Sequence, residues 1–189
     1  MIKDIVKQTR SFRSFDESRI ISRQELSELI DTARLTASSR NVQPLKYRLV
    51  YTAEECAKTL ALTGWAAGLK DLKLPPEGHA PTAYIVICCD MRMVADHVPF
   101  LRDVGIAAQT IMLSATEMEL GGCMIGSFNA DRVSETLSIP EGVKPILVLA
   151  LGKPDEKVVI LDSQDGNTAY WRDENAHYAP KRKLEDIIL

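Results

Sequence analysis

Between Asp103 and Leu120 the apolar residues Val104, Ile106, Ala107, Ala108, Ile111, Met112, Leu113, Ala115 and Met118 cover most of the circumference of a helix. A helix that is apolar nearly all round must be covered on several sides. The chain has 189 residues, enough for one core and short for two catalytic domains. A partner subunit is one economical way to cover such a helix. The expected unit is a single domain over 1–189.

The flanking elements follow from local pattern. Ala83 to Cys89 shows no polar alternation and reads as a strand buried on both faces. Pro145 to Leu151 reads as a second core strand, Tyr47 to Thr52 as a third and Val158 to Leu161 as an edge strand. Helices are expected over 2–9, from Ser22 to about Ala37, from Glu54 to Leu62, and from a cap at Asp131 to about Leu137. Ser22-Arg23-Gln24-Glu25 is a capping box, with the Ser22 hydroxyl and the Glu25 carboxylate each serving the other's backbone N–H. Gly121-Gly122 should stop the central helix as a C-cap, and the Gly- and Pro-rich stretch 63–82 reads as a connection. Helices alternating with strands indicate a mixed α+β or α/β layer around a central sheet.

Composition narrows the functional classes. Hydrophobic residues make up 46% and charged residues 26% of the chain, which suits a folded globule rather than a disordered segment. The balance of 23 basic against 26 acidic side chains argues against nucleic-acid binding. No secretory leader is visible and no apolar run has the length of a membrane span. Cys56, Cys88, Cys89 and Cys123 form no C-x-x-C pair, so reduced buried thiols in a cytoplasmic protein are expected. His79, His97 and His177 are scattered, and no metal site is expected. A P-loop, a G-x-G-x-x-G turn and a G-x-S-x-G elbow are all missing.

Four polar clusters remain. Arg10-Ser11-Phe12-Arg13 offers two guanidinium groups and a hydroxyl to an oxyanion; taken alone it also reads as a solvated turn. In Ser38-Ser39-Arg40-Asn41-Val42-Gln43-Pro44, the amides of Asn41 and Gln43 both donate and accept, as the edge of a heterocycle requires. A plain polar loop has the same composition. Gly121 to Gly126 allows close approach of main chain to a flat ligand. Lys181-Arg182-Lys183 reads as a solvated tail or as a further cation for a phosphate.

In order along the chain, these clusters resemble the FMN-dependent nitroreductase family. The resemblance rests on Thr9-Arg10-Ser11-Phe12-Arg13-Ser14-Phe15-Asp16, on Thr36-Ala37-Ser38-Ser39-Arg40-Asn41-Val42-Gln43-Pro44-Leu45-Lys46-Tyr47, on Asp103-Val104-Gly105-Ile106-Ala107-Ala108-Gln109 followed by Leu120-Gly121-Gly122-Cys123-Met124-Ile125-Gly126, and on Tyr170-Trp171-Arg172-Asp173 with Pro180-Lys181-Arg182-Lys183-Leu184-Glu185-Asp186. Ala37, Leu45 and Met124 depart from the usual proline, tryptophan and aromatic residue.

The resemblance implies an α+β fold, a central, mostly antiparallel sheet flanked by helices, in an intertwined homodimer with FMN at the subunit interface. It implies that Arg10, Ser11, Lys181 and Arg182 hold the phosphate and that Arg13 reaches the ribityl or pyrimidine side. Ser38, Ser39, Asn41 and Gln43 would come from the other subunit, and the backbone of Met124, Ile125 and Gly126 would approach flavin N5. The implied activity is ping-pong hydride transfer from NADH or NADPH through the flavin to a nitroaromatic, quinone or related acceptor. The cofactor would carry the chemistry, so no catalytic side chain is expected. Flavin reduction, dehalogenase-like chemistry and non-enzymatic flavin binding are the alternatives.

Overall fold

The computed structural model describes residues 1–69 and 71–189. Lys70, inside the connection expected over 63–82, lies outside the described residues. The central sheet is built on β5 (Val143–Pro154), paired along one side with β3 (Ala83–Asp90), which in turn pairs with β2 (Leu45–Val50). β4 (Gly121–Ile125) and the short β1 (Phe15–Asp16) also pair with β5, and every pairing in this sheet is antiparallel.

All eight residues of β3 are buried. Their alternation sorts them between two apolar layers. Ala83, Ile85 and Ile87 face α2 (Arg23–Ala33) and α4 (Leu101–Glu117), where Leu26, Leu29, Ala108 and Ile111 close the layer. Tyr84, Val86 and Cys88 face the opposite layer, with Cys56 of α3 (Ala53–Ala61) and Val133 of α5 (Ala130–Thr136). The architecture is therefore α+β, a sheet between helices. The capping box at Ser22 is present: Ser22 Oγ accepts from Glu25 N at 3.2 Å, and Ser22 N donates to Glu25 Oε2 at 2.8 Å.

Four local expectations change. α2 ends at Ala33 rather than near Ala37. α5 is capped by Asn129, whose side chain accepts from Arg132 N at 3.0 Å, not by Asp131. β2 begins at Leu45 rather than Tyr47.

The fourth change is the end of α4. Leu120 N bonds to Ala115 O and Glu119 N to Thr116 O, the double closure of a Schellman motif. The left-handed residue is Glu119 (φ 57), so Gly121 is not the cap. Gly121 and Gly122 instead open β4, because the strand runs too close to its neighbour to carry side chains there. A Cβ on Gly122 would lie 1.9 Å from Ala150 O.

After β5 the chain forms a second sheet. β6 (Val158–Asp162) runs parallel to β8 (His177–Lys181), and β8 pairs antiparallel with β7 (Trp171–Arg172). All four cysteines are buried and free, and burial pushes the Cys56 thiol up to about 11 and that of Cys88 to about 12. Among the described residues, no helix is long and apolar enough to cross a membrane, and no group of side chains has the arrangement of a metal site.

α1 (Ile2–Gln8) buries none of its residues. α4 turns Val104, Ala107, Ala108, Ile111 and Ala115 inward but leaves Leu101 and Ile106 exposed, at 46% and 41%. The all-round apolar character read from the sequence is thus only half used within one chain.

Candidate functional site

The opening cationic segment lies at the C-terminal end of α4. Thr9 Oγ1 and Thr116 Oγ1 are 2.8 Å apart. The segment then runs along the free edge of β4, where Ser11 bridges Gly122 and Phe12 N donates to Gly122 O at 2.9 Å. Arg10 closes α1 by donating from Nη2 to Val6 O at 2.8 Å, which satisfies a terminal carbonyl and meets the negative end of the helix dipole. Its Nε is buried without a partner, and burial lowers the pKa of this guanidinium.

Arg13 turns toward the second sheet. Its guanidinium carbon lies 5.4 Å from the centroid of the Tyr170 ring, and Nη1 lies 3.4 Å from His177 Nε2. Glu156 accepts from the Arg13 backbone N–H and from Arg172 Nη2. One carboxylate thus ties the Arg13 backbone to the Arg172 guanidinium beside a buried imidazole. Burial, then the charges of Arg13 and Arg172, hold His177 down at about 4, so the ring is neutral at pH 7. Arg13 Nε, Arg172 Nε and His177 Nδ1 are buried donor positions without partners. Arg10 Nε on α1 is a further buried donor without a partner, and such unspent donors on guanidinium groups suit an oxyanion.

Met124, Ile125 and Gly126 continue β4 and its end. Met124 is exposed, Ile125 is buried, and nothing lies within 4 Å of a Cβ built on Gly126. One side of this backbone is therefore open to a flat ligand.

The Ser38–Gln43 loop lies elsewhere, at the N-terminal end of α4. Ser38 Oγ donates to Asp103 Oδ2 at 2.6 Å, and Ser39 N donates to the same oxygen at 3.0 Å. Ser38 Oγ in turn accepts from Gln43 N at 3.0 Å, and Gln43 Nε2 donates to Asn41 Oδ1 at 3.0 Å. Arg40, Asn41 and Gln43 all have left-handed backbone, at φ 52, 57 and 54. Such conformations at non-glycine residues are costly, on the order of 1 kcal/mol or more each, and cluster where geometry is imposed for function. A cavity of about 150 Å³ lies under the loop, lined by Ala37, Ser38, Gln43, Leu45, Tyr47 and Asp103.

The chain thus brings Arg10, Ser11 and Arg13 beside the β4 strand that carries Met124 and leads to Gly126, and it sets Ser38, Ser39, Asn41 and Gln43 at the far end of α4. Thirteen residues separate Asp103 from Thr116, so the two groups are about 20 Å apart along the helix. Lys181 and Arg182 are exposed at the end of β8. Arg182 Nη2 donates to Asp186 O at 3.1 Å, and no hydrogen bond or ion pair among the described residues joins either residue to Arg10 or Arg13. Asp103, Glu156 and His177 carry no motif signal: Asp103 appears in sequence only as a helix start and His177 as one of three scattered histidines.

Fold and site define an α+β protein with a cationic strand edge and a strained amide loop at opposite ends of one helix. The chain belongs to the Nitroreductase family, whose model matches residues 6–153. Among its relatives, an oxygen-insensitive NADPH nitroreductase of Helicobacter acinonychis (strain Sheeba) is 26% identical over 183 residues, covering 80% of this chain and 86% of that protein. Among solved structures, a nitroreductase family protein from Streptococcus pneumoniae TIGR4 superposes with a TM-score of 0.72 at 17% identity, covering 100% of this chain and 99% of the other. An FMN-dependent nitroreductase from Clostridium difficile R20291 gives 0.65 at 22% identity over 81% and 87%.

Proposed function

We propose that the protein is an FMN-dependent oxidoreductase that takes electrons from NADH or NADPH and delivers them to a nitroaromatic, quinone or related acceptor, and that it works as a homodimer with its sites between subunits. The observation that carries this reading is the split site. Cations and open main chain sit at one end of α4, and ring-edge amides sit about 20 Å away at the other. Two copies pairing their α4 helices antiparallel bring the N-terminal end of one against the C-terminal end of the other. The exposed outer face of α4 suits that pairing, since Ile106 is bare and nothing lies within 4 Å of a Cβ built on Gly105. Family membership and the names of the relatives support the same reading.

The residues present fit the cofactor. Arg10 Nε, a buried donor without a partner, suits the phosphate end, and Arg13 Nε, another such donor, suits the ribityl and pyrimidine side. Gly126 leaves its backbone open to a planar ring. FMN, when bound, supplies the two-electron redox chemistry that the side chains lack. In this assignment Arg10 and Ser11 hold the phosphate, with Lys181 and Arg182 as further cations. Arg13 lies toward the ribityl and pyrimidine side. Ser38, Ser39, Asn41 and Gln43 of the second copy orient the ring edge, and Met124, Ile125 and Gly126 form its backbone wall. The test is an absorption spectrum of the purified protein, followed by anaerobic mixing with NADH and with NADPH. A flavin spectrum bleached by at least one nicotinamide is expected. A colourless protein that gains no flavin spectrum on incubation with FMN, or a flavin that neither nicotinamide bleaches, would overturn the proposal.

A further inference from the structure

Asp103 is the most buried charged side chain of α4, at 4% exposure, and nothing in the function proposed above uses it. It stands in the first turn, where the helix dipole favours a negative charge. No cation pairs with it among the described residues; its partners are the Ser38 hydroxyl and the Ser39 N–H. Both donors converge on Oδ2, and Ser39 N–H also lies 3.2 Å from Oδ1; an amide in its place loses the charge and sets an NH2 in place of one acceptor, against the Ser39 N–H or both donors.

The bonds continue outward in one direction. Ser38 Oγ spends its proton on Asp103, which leaves its lone pairs to receive Gln43 N–H. The Gln43 side chain then ties to Asn41. Arg40, Asn41 and Gln43 itself are left-handed non-glycine residues. A loop bent in this way needs an external fixture, and the only carboxylate bonded to it within the described residues is Asp103. The cavity beneath the loop means that packing from below does not replace that fixture.

We propose that Asp103 is the positioning residue of the Ser38–Gln43 loop: bonded to Ser38 and Ser39, its buried carboxylate fixes the backbone that presents Asn41 and Gln43 to the flavin ring edge. This rests on the flavin reading above for the ligand, but not for the loop itself. Asp103 touches no reacting atom; it acts through Ser38.

Two measurements separate the two layers. In the apoprotein, amide hydrogen exchange of Ser39 and Gln43 reports the fixture without any cofactor. Asp103→Asn and Ser38→Ala should each speed exchange at both amides at least tenfold while strand β3 stays protected. Ser38→Thr, which keeps the hydroxyl, should restore protection. FMN titration, followed by quenching of flavin fluorescence, should show at least tenfold weaker binding in Asp103→Asn and Ser38→Ala, and an altered visible absorption maximum of the flavin bound to both. The double variant should bind no worse than Asp103→Asn alone, since both changes break one chain of bonds. Unchanged exchange at Ser39 and Gln43 in a folded Asp103→Asn protein overturns the proposal. So does FMN affinity within twofold of wild type in both single variants. If Asp103→Asn does not fold, the Ser38→Ala and Ser38→Thr pair decides by the same criteria. Faster exchange in a protein whose wild type binds no FMN supports the fixture and overturns the flavin reading instead.

Discussion

Replacing Gly122 by alanine places a methyl group 1.9 Å from Ala150 O and 3.1 Å from Ala150 C. Both atoms belong to the backbone of the central strand, so no side-chain rotation relieves the clash. Ordinary contact begins near 3.4 Å, and β4 must therefore withdraw from β5 by about 1.5 Å at this point. Pairing on both sides of Gly122, at Gly121 with Gly152 and at Cys123 with Ala150, stretches with it. Loss of two ladder hydrogen bonds contributes about 2 kcal/mol, and overpacking adds about 1–3 kcal/mol. The expected destabilisation is about 3–5 kcal/mol, a large part of a typical folding free energy, and corresponds to a fall in Tm of about 6–20 °C for a chain of this size. Ser11 bridges Gly122, so the cationic segment shifts as well and FMN affinity falls beyond what stability alone explains. Urea denaturation and FMN titration read the two effects. Gly126→Ala is the control: nothing lies within 4 Å of its added Cβ, and the change should stay within about 0.5 kcal/mol. A Gly122→Ala protein destabilised by less than about 1 kcal/mol would refute the steric reasoning.

Stability should fall on mild acidification. His177 titrates near 4 when folded, against 6.5 for the ordinary side chain. The unfolded chain therefore takes up a proton as pH drops through 6.5 while the native one does not, which removes about 2 kcal/mol by pH 5. Glu25, held at about 2 by Arg19, loses its contribution only at lower pH. Denaturant melts from pH 8 to 5 should show the slope in wild type and a flattened one in His177→Asn; equal slopes would rule it out. Arg10→Ala should weaken FMN about ten- to a hundredfold, the worth of one charge-assisted bond of about 1.5–3 kcal/mol, while Arg40→Ala leaves retention through dialysis unchanged. Leu45→Trp, placed to fill the cavity beneath the loop, should raise stability by about 0.5–2 kcal/mol in the same melts.

The legible parts of the sequence were those where a single local rule decides. The unbroken apolar run of β3 admits only double burial, and the Ser22–Glu25 box marks a helix start whatever surrounds it. β4 was hidden because its glycines look like punctuation. Only the proximity of Ala150 O shows that they are there to let two strands approach. Glu119 in the left-handed position could not be foreseen for the same reason, since glycine was available two residues later. At the site, Arg10, Ser11 and the Ser38–Gln43 loop announce themselves by clustered polar residues. The side chains that hold them in place do not. Asp103 is 65 residues from Ser38, and His177 is 164 from Arg13. Neither pairing leaves a local trace, because it is made by the packing of α4 and of the second sheet.

The separation of the two half-sites along α4 has a thermodynamic consequence. In the proposed pairing a lone chain holds one wall of the ligand's enclosure and never both, so association of chains and uptake of cofactor become linked equilibria. Dilution should then release the cofactor, and excess cofactor should drive monomers together, with the concentration of protein itself acting as a control on how much of it is loaded.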